Sequence, residues 1–187
     1  MRLKTCLFCL VLVTLLVTKA ANGSQSPVGA APISPPSCEG NAMNNITPVV
    51  QEFFNRYARS RSVLDIDLIA SQYPDSFMFA GPSGAQVAEK SAVLAAFPKG
   101  QEFLKSLGHQ STAVVSLNET RIDEHYVLVR ALFGWRFQRA SLQLTDVKVE
   151  STFILYIDQG AAKIVFQHEH EDFQQVLQAS GVLPAQP

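Results

Sequence analysis

Cysteine is almost absent from this chain of 187 residues. Of its three cysteines, Cys6 and Cys9 lie near the start and only Cys38 follows, so the body of the protein has no internal disulfide framework. Cys38 sits in Pro35-Pro36-Ser37-Cys38-Glu39-Gly40, a stretch without periodicity, and reads as an idle or capped thiol. Charge is scarce as well. Only 17% of residues are charged while 47% are hydrophobic, a balance that suits a compact domain with a sizeable core. The basic residues are scattered, which excludes the footprint of a nucleic-acid binder. The longest apolar run, Cys6 to Val17, is about a dozen residues, short of the ~20 that a membrane-crossing helix needs. No Gly-rich phosphate loop, nucleophile elbow or paired-cysteine zinc motif occurs, so no cofactor is expected. There are no internal repeats.

What stands at the start reads as an export signal. Arg2 and Lys4 form a positive region, Cys6 to Val17 the apolar run, and Ala20, Ala21 and Gly23 a cleavage zone of small residues. Cleavage after Ala20 or Gly23 predicts a secreted or periplasmic protein without membrane insertion. Without Arg2, Lys4 and Lys19 the chain keeps 12 basic and 16 acidic residues, a formal charge of −4. Residues 24–46, rich in Pro, Ser, Ala, Gly and Asn, are predicted to be a disordered linker. Asn22-Gly23-Ser24, Asn45-Ile46-Thr47 and Asn118-Glu119-Thr120 fit the glycosylation acceptor pattern.

A single domain is expected over 47–184. Thr47-Pro48 fits an N-cap followed by proline in the first helical position, and Val50, Phe53, Phe54 and Tyr57 then mark one buried helical face. A short helix capped by Asp65 runs to Tyr73, a strand covers Asp75 to Ala80, and Gly81-Pro82-Ser83-Gly84 turns the chain. Glu89 to Phe97 reads as helix, and Gln101 to Leu107 adds a turn or two before Gly108. Strand periodicity then takes over at Ser111–Thr120, Tyr126–Phe137, Val147–Ile157 and Lys163–His170, with Asp158-Gln159-Gly160 as the last hairpin turn. Asp172 with Gln175 fits a capping box opening a final helix, Gly181 lies past its end and Pro184 beyond. Helices followed by consecutive strands predict an α+β domain with an antiparallel sheet.

Alternation along strands assigns faces. From Tyr126 on, Val127, Val129, Ala131, Phe133 and Trp135 form a core-like side. Tyr126, Leu128, Arg130, Leu132 and Arg136 form the other, a mixture that suggests a partner surface, with cross-strand pairing to Glu119 or Glu150 as the simpler role for the arginines. On the last strand, Ile164, Phe166, His168 and His170 are expected to share the inner side. That would give a pocket with a polar end.

The order of elements, with Val49-Val50-Gln51-Glu52-Phe53-Phe54, Tyr73 to Gly84 and the hairpin from Tyr156 to Ile164, resembles the nuclear transport factor 2-like superfamily in its SnoaL-like and ketosteroid isomerase-like branch. The resemblance spans roughly Pro48 to Pro184. It implies a strongly curved sheet wrapped as a cone against the N-terminal helices, closed by a short C-terminal helix, with an apolar pocket inside. It also implies dimers through the sheet's outer face. Isomerases, cyclases, dehydratases and non-catalytic adaptors share this fold, so fold alone does not give function. The isomerase machinery does not carry over. Gly81 stands where that family places its carboxylate base, Phe53 where it places a tyrosine donor, and Thr152 to Ile154 contain no acid.

His168 and His170 are the candidates for proton transfer, because imidazole titrates near neutrality. As a pair on one strand they also have the geometry to hold a metal, with His109, His125 or Glu150 as a third ligand. Two ligands alone fall short of a site, and the preferred account has one histidine hydrogen-bonding in the pocket and the other packing at the strand end, with no metal. Tyr57, Phe79, Phe133, Trp135 and Phe166 are the expected ligand-binding walls, with the Phe77 or Met78 face as a further wall. The reading that follows is an exported domain holding a small apolar or aromatic molecule. The alternatives are an isomerase, cyclase or dehydratase using a pocket histidine, and a dimeric interaction module with a vestigial pocket.

Overall fold

The computed structural model describes residues 46–138 and 143–184; the leader, nearly all of the linker, Cys38, the first glycosylation pattern and Asn45 of the second lie outside the described residues. α1 (Pro48–Val63), α2 (Ile66–Ser71), a hairpin of β1 (Ser76–Gly81) and β2 (Gly84–Glu89), and α3 (Lys90–Ser106) come first. β3 (His109–Arg121), β4 (Tyr126–Gln138), β5 (Leu144–Asp158), β6 (Ala161–Glu169) and α4 (Phe173–Ala179) follow. The fold is α+β, a curved and unclosed sheet of six strands in the order β2-β1-β6-β5-β4-β3.

Local chemistry explains most boundaries. Pro48 opens α1, but Thr47 makes no side-chain cap; its backbone N–H and hydroxyl both donate to the Glu119 carboxylate, at 2.7 and 3.1 Å, pinning the helix start to β3. Asp65 caps α2 by accepting from Leu68 N at 2.9 Å, and Asp172 caps α4 by accepting from Gln174 N and Gln175 N. Gly108 turns α3 into β3 at φ 78°, where a Cβ would collide with the Gln138 carbonyl.

Three expectations about the elements are corrected. Gly84–Glu89 is a strand, paired to β1 from Gly81↔Gly84 to Ser76↔Glu89. The two short helices are one, α3, which runs through Pro98. The sheet is mixed: β1 lies parallel to β6 (Met78↔Phe166, Ala80↔His168), while every other neighbouring pair is antiparallel. The β1–β2 hairpin, made before α3, adds to the far edge of β6 and leaves β2 at the end of the sheet.

The core lies between α1 and the inner face. Phe54 and Tyr57 pack on Phe133 and Phe153, with Phe54 edge-on to Phe153 at 5.1 Å. Val127, Val129, Ala131, Phe133 and Trp135 are all buried, as the alternation of β4 predicts.

Candidate functional site

Parity decides what the inner face offers. From the hairpin turn β6 alternates regularly, with Ala162 and Ile164 buried. Ile164 pairs with Leu155 and Phe166 with Ile154, so Val165 has no partner on β5 and forms a β-bulge. Beyond it the faces exchange. Gln167 is 1% exposed and Glu169 points into the core side, while Phe166, His168 and His170 lie on the outer face.

The expected placement of both histidines at the pocket is thereby corrected, and so is that of Phe166. His170 hydrogen-bonds Thr152 Oγ1 at 2.8 Å and lies 3.3 Å from Glu150 Oε2. The His168 ring lies 5.0 Å from that of His170, tilted by 40°. His109 packs against Trp135 and Phe137 under a burial that lowers its pKa. His125 packs on Tyr156 at the opposite end of β4. Among the described residues no group of three or more His, Cys, Asp or Glu side chains is placed to hold a metal. Arg130 pairs with Glu150 as expected, and Arg136 forks onto Asp146 with bonds of 2.8 and 3.0 Å.

The inner face encloses a cavity of about 290 Å³. Its walls are Tyr57 from α1, Phe79 from β1, Phe133 and Trp135 from β4, and Phe173 from α4; all five are buried. Four of the five expected wall residues are therefore brought together, and Phe173 replaces Phe166. Pro82, Ser83, Glu171 and Gln175 line it at exposed positions, marking its opening between the β1–β2 turn and the start of α4.

Its polar group is Glu169. Ser151 Oγ donates to Glu169 Oε2 at 2.6 Å and Gln167 Nε2 donates to Oε1. Tyr73 O–H donates to Gln167 Oε1 at 2.7 Å, and the Arg61 guanidinium donates to Tyr73 Oη at 3.0 Å. A continuous chain thus joins a buried arginine to the cavity's carboxyl. Burial pushes the Glu169 pKa up, against the donors Ser151 and Gln167 and the charges of Arg61 and His170. Burial also raises Tyr57, and it raises Tyr73 strongly. Arg61 is 4% exposed; burial acts against its charge, but Tyr57, Tyr73 and Glu169 outweigh it and the guanidinium stays protonated. Its Nε finds no hydrogen-bond partner among the described residues.

Arg61, Tyr73, Ser151, Gln167, Glu169 and Phe173 are site residues that the alternation argument missed. One signal was available: Ile164-Val165-Phe166 is apolar throughout, so the run itself permits either parity for the residues after it.

The folds of known proteins agree with this architecture. Aln2 from a Streptomyces species superimposes with a TM-score of 0.56 at 15% identity, over 72% of this chain and 98% of that one. A nuclear transport factor 2-like protein with a cystatin-like fold from Novosphingobium aromaticivorans gives 0.55 at 11% identity, over 69% and 86%. A nuclear transport factor 2-like protein of unknown function from Shewanella oneidensis gives 0.52 at 13% identity, over 66% and 97%. No family model matches the sequence, and no curated protein matches it. The chain has the nuclear transport factor 2-like, cystatin-like fold.

Proposed function

We propose that this domain binds a small apolar or aromatic molecule in the cavity of its curved sheet. The observation that carries the reading is the cavity itself: aromatic walls from four elements converge on one carboxyl that the protein holds in place through Ser151 and Gln167. At about 290 Å³ it suits a ligand of one or two rings, near the small end of ligand pockets. Trp135, the chain's single tryptophan, lines it and supplies a fluorescence signal. Native mass spectrometry of the protein purified from its source tests the reading. A retained small molecule, displaced when Val149→Trp fills the cavity, is the expected result; an empty protein whose Trp135 emission ignores aromatic solutes removes the idea.

One observation favours a second reading, proton transfer on such a ligand. Glu169 combines an apolar setting with a pKa that burial raises, so the protein favours the protonated form of a carboxyl that lines the cavity. In this reading the carboxyl, and not a histidine, is the acid or base, since no histidine lines the cavity among the described residues.

The proposal extends to assembly and location. Residues 1–23 direct export, on the strength of their charge and apolar pattern. The outer sheet face meets a second copy of this chain. A row of cross-strand partners, Val87, Met78, Phe166, Ile154 and Leu128, crosses that face, and Val87 and Met78 are exposed. Beside the row stand the pairs Arg130–Glu150 and Arg136–Asp146. A patch that is apolar and carries both signs of charge complements itself, as a two-fold contact requires.

A further inference from the structure

We propose that the occupant of the cavity is a cation: an ammonium group on an apolar or aromatic body, its charge at Glu169 and its body against Phe133, Trp135 and Phe173. This rests on the reading of the cavity as a binding site and names the class of molecule it takes.

The side chains that line the cavity carry charge of one sign. Glu169, Glu171 and Asp172 all contribute, and among the described residues no lysine, arginine or histidine does. Asp172 is fixed at the entrance by its bonds to Gln174 N and Gln175 N, and Glu171 beside it is exposed. The cation nearest the carboxyl lies behind the wall. Arg61 sits 4.8 Å over the ring of Tyr57 and reaches Glu169 only through Tyr73 and Gln167. Glu171 and Asp172 at the entrance, with Glu169 whenever it is ionised, outnumber that one guanidinium around the space. Apolar walls concentrate such a field. A carboxylate or phosphate entering here would meet repulsion and find no cationic donor.

The walls favour the same class. Aromatic rings present negative faces to a cation within about 6 Å. Arg61 already occupies one face of Tyr57, whereas Trp135 and Phe133 pack against other rings, Phe173 and Phe153 among them, and line the cavity. The carboxyl is equally suited. An ionised carboxylate accepts about four hydrogen bonds; Ser151 and Gln167 supply one each, which fixes its position and leaves acceptor sites for a donor in the cavity. An ammonium satisfies those sites with charge-assisted bonds, which a neutral hydroxyl does not.

Ionisation links the two. Glu169 is surrounded by Ser151 on β5, Gln167 and His170 on β6, Arg61 and Tyr57 on α1, and Tyr73 after α2. Burial favours its neutral form, and an arriving ammonium favours the ionised one. Cation binding therefore weakens as pH falls through the titration of Glu169, and binding of a neutral analogue does not.

Calorimetric titration with three matched probes, 2-phenylethylamine, 2-phenylethanol and phenylacetate, decides the matter. The expected result is an amine bound at least about tenfold more tightly than the alcohol, with the acid weakest. Glu169→Gln should reduce the amine to the level of the alcohol and leave the alcohol within about twofold. Glu171→Gln, at an exposed position outside the buried chain, should weaken the amine by about two- to threefold, an effect that misfolding at Glu169 does not imitate. Alcohol and amine binding equally, or the acid binding best, overturns the cation while the binding site stands. Binding of none of the three overturns both.

Discussion

Ile164 and Phe166, two residues apart on β6, point to opposite faces of the sheet. Val165 between them pairs with nothing on β5, and this extra residue sends Gln167 and Glu169 inward. A bulge that places a buried carboxyl also holds the partners of that carboxyl in register. Deletion of Val165 should turn His168 and His170 toward the core and strip Tyr73 and Ser151 of their partners Gln167 and Glu169. The expected cost is at least about 3 kcal/mol, read by urea unfolding. A deletion variant as stable as the parent would show that the strand tolerates either register.

Tyr73 is the next link. Its hydroxyl accepts from Arg61 and donates to Gln167 across 94 residues of chain. Tyr73→Phe removes a single oxygen and leaves a buried donor and a buried acceptor unmatched, so unfolding free energy should drop by about 1–3 kcal/mol. Far-UV circular dichroism of the variant should be unchanged.

Acid behaviour separates Glu169 from the surface carboxylates. Its pKa is raised in the folded state, so the folded protein holds that proton more tightly than the unfolded chain does. Its favourable contribution is complete below the ordinary glutamate value and is lost as pH rises through the raised one. Asp75, Asp123, Asp146 and Glu150 act in the opposite sense: their lowered values give stability at neutral pH that is lost on acidification. The stability of the parent relative to Glu169→Gln should therefore decrease as pH rises above the ordinary glutamate range. Thermal melts of both proteins across that range would show a flat difference if the carboxyl titrates normally.

The outer histidines should be silent in the cavity. A His168→Ala, His170→Ala double variant is expected to quench Trp135 with any aromatic ligand as the parent does, whereas Trp135→Phe or Phe133→Ala should alter affinity. Loss of binding in the double variant would restore the histidines to the site.

Assembly offers a separate test. Sedimentation at micromolar concentration should show a dimer, and Leu128→Lys should dissociate it, because a lysine at the β4 end of the apolar row is desolvated on contact. A monomer at every concentration would leave the exposed Val87 and Met78 without the proposed partner.

The sequence is most legible where the period is long and unbroken. The buried face of β4 follows from alternation over Val127 to Trp135, and the one-sided burial of α1 follows from Val50, Phe53, Phe54 and Tyr57. Tyr57, Phe79, Phe133 and Trp135 were therefore readable as cavity walls. The polar end was not. Alternation carries parity along a strand only while no residue is inserted, and Val165 is an insertion inside an apolar triplet that permits either parity without choosing between them. The parallel approach of β1 to β6 was hidden for a different reason: strand order depends on pairings between residues about 90 apart, such as Met78 with Phe166, and local periodicity is blind to them. Arg61 was overlooked because a charge on a helix is ordinarily solvated, and only the fold brings Tyr73 to meet it.

The chain from Arg61 to Glu169 also sets an order of events during synthesis. Arg61 leaves the ribosome more than a hundred residues before Glu169, and for all of that interval its guanidinium has no anionic partner to bury against. Burying it early would be costly. The hydrogen-bonded chain behind the aromatic wall can therefore be completed only when β6, the last strand to be made, supplies Gln167 and Glu169.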